Sequence, residues 1–171
     1  MYKPLHAGIH MGCVVGTMYN KSKVANVMVK NGLISDTGTI TLRSNTFELA
    51  AGGLVGYVTN TSSSNSAPGS GNRYAIENCF SDVDISLDSA AQTSWFGTNT
   101  YDAQYHTGGI VGTIRSQPVW PTQCLYVGSI DSNGFIGPIF GALINNTSYT
   151  SRNNYNTLWL GNDAGRKPYN D

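Results

Sequence analysis

The residue types best suited to recognising a ligand are concentrated between residues 88 and 106. The aromatic side chains of this stretch are Trp95, Phe96, Tyr101 and Tyr105. Exposed rings offer flat apolar surfaces on which sugars can stack, and the neighbouring Asn99, Asp102 and Gln104 could hydrogen-bond to hydroxyl groups. Trp120 could lie beside the same patch, or it could fill a buried corner. The alternative for the whole set is that the rings anchor the stretch by packing rather than bind a ligand.

Two carboxylates have a spacing that would suit acid–base chemistry. Asp82 and Asp84 are two residues apart in a strictly alternating stretch, so a strand would place both on one face. Together with Asp88 and Asp102 they could form the acid cluster of a polysaccharide lyase or hydrolase. The alternative interpretation is that they occupy solvated, outward positions of a strand.

Metal and cofactor motifs are absent from the sequence. His6 and His10 are four residues apart, as are Asp102 and His106, but this spacing forms a ligand pair only on a helix. Neither segment has a helical pattern. The chain also lacks a Gly-x-Ser-x-Gly sequence, a phosphate-binding loop and a dinucleotide-binding fingerprint. We therefore expect no metal, no cofactor and no catalytic activity.

The chain contains three cysteines, an odd number that excludes a complete set of disulfides. Cys79 and Cys124 occupy equivalent positions in two related stretches of sequence, whereas Cys13 has no such partner. We expect the two equivalent cysteines to be small buried residues in a stacked column. A disulfide or a metal site between them remains the alternative.

The candidate residues lie within or between four repeats of the sequence. A phrase of the form Gly-x-apolar-apolar-Gly-x-apolar occurs four times, at residues 12–18, 52–58, 108–114 and 137–143. A second phrase, marked by an amide residue, follows each copy. The separations from the first glycine to the amide are 14, 26, 15 and 16 residues (12 to 26, 52 to 78, 108 to 123, 137 to 153). Three similar values and one long value indicate a fixed unit with a polar insertion at 59–73.

Internal repetition of this kind predicts stacked units that share one core. Strict alternation in stretches such as 83–87 indicates strands, and no window has a helical stripe. We predict one all-β domain over residues 1–171, a parallel β-helix or β-solenoid with a strand from each glycine phrase and another from each amide phrase. The predicted repeats lie near 12–34, 52–85, 108–130 and 137–160, and the predicted insertions span 59–73 and 88–106. The recurrent Asn26, Asn78, Gln123 and Asn153 would form an amide ladder at a turn, each side chain bonding to the backbone of the next unit.

The two phrases resemble the GLUG repeat, whose consensus is Gly-Gly-Leu-Val-Gly followed by Ile-x-Asn-Cys-Tyr-Ser-x-Gly-x-Val. The repeat from Gly52 to Ile85 is the most similar, and the repeat from Gly108 to Ile130 is clear. The first copy departs from the consensus with Val27 in place of the cysteine. The fourth departs with Asn154 at that position and with Pro138 in place of the second glycine.

GLUG repeats occur in secreted and surface-exposed bacterial proteins, including adhesin-like proteins and the non-catalytic regions of IgA-cleaving metallopeptidases. The resemblance implies a β-solenoid in an extracellular setting, and it brings no catalytic residues. It favours a structural or adhesive module, which could bind a glycan or a protein of the host or the environment, or could be a stacked scaffold without a ligand. A small carbohydrate-active β-helix enzyme is the alternative.

Composition narrows the choice of partners. Of the 171 residues 40% are hydrophobic and only 12% are charged, and the formal net charge is +0. Such a chain lacks the basic surface that nucleic acid requires, and its apolar stretches are too short for a membrane-spanning helix. The first residues lack the apolar core of a secretory signal, which suggests a processed or recombinant segment or a short reading frame. Unpaired strand edges at the two ends of the repeats could support end-to-end self-association.

Overall fold

A computed structural model describes residues 8–19, 22–36, 48–59, 75–87, 105–115, 120–132, 134–144 and 155–156. The described residues are all-β and contain no helix. They fall into four segments that follow the sequence repeats, namely 8–36, 48–87, 105–132 and 134–156, which we call the first to fourth segments. No helix in these residues is long and apolar enough to cross a membrane.

The described residues form three to five strands in each segment. The first segment contains β1 (Gly8–Gly12), β2 (Val15–Tyr19), β3 (Lys23–Ala25) and β4 (Met28–Ser35). The second contains β5 (Glu48–Gly52), β6 (Val55–Thr59), β7 (Ala75–Glu77) and β8 (Phe80–Leu87). The third contains β9 (Tyr105–Gly108), β10 (Val111–Arg115), β11 (Trp120–Thr122), β12 (Leu125–Tyr126) and β13 (Ile130–Ser132). The fourth contains β14 (Phe135–Gly137), β15 (Phe140–Ile144) and β16 (Tyr155–Asn156).

Equivalent strands of successive segments lie side by side in parallel. The sheet orders are β1-β5-β9-β14, β15-β10-β6-β2, β11-β7-β3 and β13-β8-β12-β16, and β4 pairs with β8. The repeats are in register, because Gly12 pairs with Gly52, Gly52 with Gly108, and Gly108 with Gly137. The prediction of an all-β chain with parallel strands is therefore confirmed.

The glycine phrase does not form one strand, as we had predicted, but joins two. β1 ends at Gly12 and β2 begins at Val15, so the chain turns at the residues between them. A side chain at the first glycine would block this turn: a Cβ added to Gly12 would lie 2.7 Å from the backbone nitrogen of Gly56 in the next segment. The phrase is thus a corner, where close backbone approach requires glycine.

Two clusters of buried side chains run across the segments. The larger includes Leu54, Val58, Ile76, Ile110, Ile114 and Tyr126, and it lies between the sheets that contain β6 and β7. The smaller includes Leu49, Ala51, Val83, Ile85, Leu87 and Tyr105, and it joins β5 to β8. Burial in β8 alternates from residue to residue, which follows from the opposite directions of successive side chains.

The two predicted insertions fall almost entirely outside the described residues. Of the insertion at 59–73, only Thr59 is described, as the last residue of β6. Of the stretch at 88–106, only Tyr105 and His106 are described, and both belong to β9. This stretch therefore ends two residues earlier than we had predicted.

Candidate functional site

The predicted aromatic site lies only partly within the described residues. Trp95, Phe96 and Tyr101 lie outside the described residues. Trp120 is the first residue of β11 and pairs with Ala75.

Tyr105 is a core residue and does not have the exposed ring that we had expected. It is 0% exposed, because its register with Leu49 turns it toward the smaller core cluster. Its hydroxyl donates a hydrogen bond to Oδ2 of Asp36 at 2.9 Å. Burial, followed by the bond to Asp36, raises the pKa of Tyr105 above its ordinary value. The ring links the third segment to the first and does not face solvent.

The two candidate acids lie on the outward face of β8 and make bonds to neighbouring segments. Oδ1 of Asp84 accepts hydrogen bonds from the hydroxyl and the backbone N–H of Ser129, at 2.6 and 2.9 Å. These bonds lower the pKa of Asp84. Oδ2 of Asp82 accepts a bond from the backbone N–H of Asn31 at 3.3 Å. A general acid needs the opposite shift of its pKa, so the geometry suits structural linkage.

The described residues hold no group of three or more His, Cys, Asp or Glu side chains that could bind a metal ion. Cys79 and Cys124 are 3% and 0% exposed and are free thiols. Each thiol lies near a carbonyl of the preceding segment, with Cys79 Sγ 3.7 Å from Val24 O and Cys124 Sγ 3.6 Å from Ile76 O. A hydrogen bond with Cys79, together with burial, raises the pKa of Cys124. The prediction of a buried cysteine column is confirmed.

The amide residues form a column of left-handed turns. Asn26, Asn78 and Gln123 are exposed and have φ values of 57°, 52° and 53°. The backbone N–H of Asn26 donates to Glu77 O at 3.1 Å, and Nδ2 of Asn78 donates to Oδ1 of Asn26 at 3.4 Å. The amide ladder is thus present between the first two segments, but its link is between side chains. Asn153 lies outside the described residues.

A histidine–threonine pair occurs twice and was not predicted. Nδ1 of His10 is hydrogen-bonded to Oγ1 of Thr17 at 2.8 Å, and Nδ1 of His106 to Oγ1 of Thr113 at 3.0 Å. The His10 ring also stacks on Tyr57 with ring centres 4.2 Å apart. Each pair bridges the two strands on either side of a glycine turn. The signal was the shared seven-residue spacing across that turn, which is visible in the sequence.

The polar side chains described above link one segment to another, or one strand to another beside a glycine turn. Their chemistry is that of hydrogen-bonded stacking. Searches of protein-family models, of curated proteins and of solved structures found no match to this chain.

Proposed function

We propose that this chain is a non-catalytic structural or adhesive module of a secreted or cell-surface bacterial protein, built as a β-solenoid of about four GLUG-like coils. The observation that carries the proposal is the register of the four glycine turns, with Gly12, Gly52, Gly108 and Gly137 directly above one another. A chain that repeats the same corner in register forms a stack whose length depends on the number of coils. Such a stack is suited to hold other surfaces at a distance.

The use of polar side chains supports a structural role. The contacts between Asp84 and Ser129, between Asn78 and Asn26, and between Lys23 and Glu77 each join adjacent segments. Side chains committed to such links hold the coils in register, because each link is lost when one coil slips relative to the next. The lowered pKa of Asp84 also argues for a carboxylate that accepts hydrogen bonds rather than an acid that donates a proton.

The adhesive part of the proposal assigns recognition to the stretch at 88–106. Its rings Trp95, Phe96 and Tyr101, with Trp120 nearby in sequence, would bind a glycan or a host protein. The low charged fraction of 12% favours recognition by stacking and neutral hydrogen bonds over recognition of charge. The repeats would then serve as the rigid support of a binding stretch, as rigid scaffolds commonly do.

A glycan-array screen of the purified chain tests this proposal. The test variant carries Trp95→Ala and Tyr101→Ala, and the matched control carries Tyr19→Ala, which removes a half-exposed ring from β2. Circular dichroism must show the same β-rich spectrum for all three proteins. We expect binding by the wild type and the control and its loss in the double variant. Binding that persists in the double variant contradicts the adhesive site, and absence of binding by all three leaves the structural role alone.

A further inference from the structure

The first segment forms one edge of all four sheets. β1, β2 and β3 are the last strands in their sheet orders, and β4 pairs only with β8 among the described strands. Each of these strands therefore has a described neighbour on one side only. We call this side of the first segment the open edge. Unpaired edges of parallel strands are templates for further pairing.

Apolar side chains are uncovered at the open edge. The large hydrophobic residues exposed in the described chain all belong to the first segment, and they are Val14 at 40%, Tyr19 at 50%, Met28 at 63% and Leu33 at 67%. The contrast is sharpest at Val14. Its equivalents Leu54, Ile110 and Ile139 are 0%, 0% and 2% exposed. The corner position that is covered in the other segments is thus uncovered in the first.

The described residues leave a space beside Gly16 that is filled by backbone at the equivalent glycines. At the equivalent glycines of the other segments, a Cβ would lie within 2.6 Å of the backbone of the preceding segment; these are Gly56, Gly112 and Gly141. Among the described residues, a Cβ at Gly16 would meet only the carbonyl of His10 in its own segment, at 3.0 Å. The second glycine of the phrase thus allows the backbone of the preceding coil to approach closely. Gly16 would allow the same approach at the open edge.

The hydrogen bonds at the corner all run in one direction along the chain, from N–H groups of one segment to a carbonyl of the next. In each described corner, two successive backbone N–H groups donate to one carbonyl of the next segment. The donor pairs and acceptors are Val14 and Val15 to Leu54, Leu54 and Val55 to Ile110, and Ile110 and Val111 to Ile139, at 2.8 to 3.1 Å. The carbonyl of Val14 occupies the acceptor position at the open edge. It would be matched by a corner that presents two N–H groups to it.

We propose that the open edge is a docking surface for one further parallel β-coil of the same repeat type. This coil places its backbone against Gly16, covers Val14 and donates two N–H groups to the Val14 carbonyl. The proposal rests on the coil architecture of the proposed function. A second copy arranged about a two-fold axis does not fit, because it would bring two Val14 carbonyls together without a donor.

Tandem duplication of residues 8–47 within the full chain tests the proposal, because it supplies such a coil. The denaturant m-value scales with the surface exposed on unfolding, so stacking of the added coil should raise it by about a quarter. Gly16→Ala in the inner copy then becomes costly, whereas the same substitution in the wild-type chain lowers the urea midpoint only slightly. An unchanged m-value with rapid proteolysis of the added coil would overturn the proposal.

Two further measurements separate this inference from the proposed function. If the coil architecture itself were wrong, Gly56→Ala in the wild type would be as harmless as Gly16→Ala. If only the docking surface is wrong, Gly56→Ala remains costly while the duplicated chain gains nothing. Light scattering of the wild type addresses the two-fold arrangement: a closed dimer that does not grow into longer oligomers as the concentration rises, and that Val14→Glu dissociates, would mean that two open edges face each other and would contradict our proposal.

Discussion

The space that a neighbouring segment leaves limits which side chain a position in this chain can hold. The second glycine of the phrase illustrates this, because a Cβ on Gly56 would lie 2.6 Å from the backbone nitrogen of Met11. No rotamer change can relieve a contact with backbone. Gly16 holds the same place in the sequence phrase but faces the open edge, so the two positions form a matched pair.

We predict that Gly56→Ala lowers the free energy of unfolding by about 2 kcal/mol or more, in the range of overpacked interiors. Gly16→Ala should cost less than about 1 kcal/mol, because the His10 carbonyl is the only neighbour among the residues that the structure describes. Urea denaturation followed by circular dichroism measures both changes. Equal costs for the two substitutions would contradict the stacking explanation of the repeated glycine.

A second residue-scale prediction concerns Ser81. Its hydroxyl is 0% exposed and has no hydrogen-bond partner among the described residues, since the position faces Gly53. A buried hydroxyl without a partner destabilises by about 1 to 3 kcal/mol. Ser81→Ala should therefore raise the free energy of unfolding by about 1 kcal/mol.

The control for Ser81 is Thr107→Val, which removes a hydroxyl that is also buried but donates to Oγ of Ser132 at 3.1 Å. It should destabilise the chain, because Oγ of Ser132 loses one of its two hydrogen-bond donors among the described residues and keeps only the backbone N–H of Gly134. Both variants are compared by thermal unfolding at one protein concentration. A lower melting temperature for Ser81→Ala would show that the hydroxyl has a partner after all.

At the scale of elements, the amide column sets the geometry of the turn that precedes β4, β8 and β12. The left-handed conformation costs an ordinary side chain about 1 to 2 kcal/mol, whereas Asn tolerates it better and Gly adopts it freely. Gln123 has a φ of 53° and lacks the short side chain that suits this region. We predict that Gln123→Gly raises the free energy of unfolding by about 1 kcal/mol, as measured by urea denaturation.

Asn78→Gly provides the comparison for Gln123. Asn78 has nearly the same φ, 52°, but its side chain donates to Asn26. Loss of that bond offsets the relief of the backbone, so this variant should show no gain or a small loss of stability. If both variants were stabilised equally, the side-chain link of the amide ladder would contribute nothing.

The sequence predicted how the strands pair, but it did not predict where the glycine turns lie or which face of its strand Tyr105 occupies. The repetition of the glycine and amide phrases predicted stacked parallel strands, because each repeat contributes equivalent strands. Gly12, Gly52 and Gly108 do pair in register. The phrase could not show whether its glycines lie within a strand or at a corner, since glycine serves both. We predicted that Tyr105 is exposed because it lies in an aromatic stretch of the sequence. The composition of that stretch does not show that Tyr105 pairs with Leu49. That register is set by pairing across segments, which no single stretch of sequence contains.

At the scale of the whole molecule, the stack buries ionisable side chains that link different segments. The hydroxyl of Tyr126 donates to the carbonyl of Val83 at 3.2 Å, and that of Tyr105 donates to Asp36. Burial is the main cause that raises the pKa of both phenols above their ordinary value of 10.0. Both protons are thus retained in the folded chain after the unfolded chain has released them. Alkaline pH should therefore lower the free energy of unfolding of the chain through contacts in more than one segment.

The direction of the pH dependence follows from proton linkage. Stability from Tyr105 and Tyr126 is fully present below pH 10 and is lost as the pH rises above it, because the unfolded chain then binds fewer protons. Each retained proton lowers the free energy of unfolding by about 1.4 kcal/mol per pH unit in this window. Urea denaturation between pH 9 and about pH 11 measures the slope. Tyr126→Phe should flatten the slope, because it removes one of the two buried phenols. A wild-type slope of zero above pH 10 would mean that neither phenol is held in the folded stack.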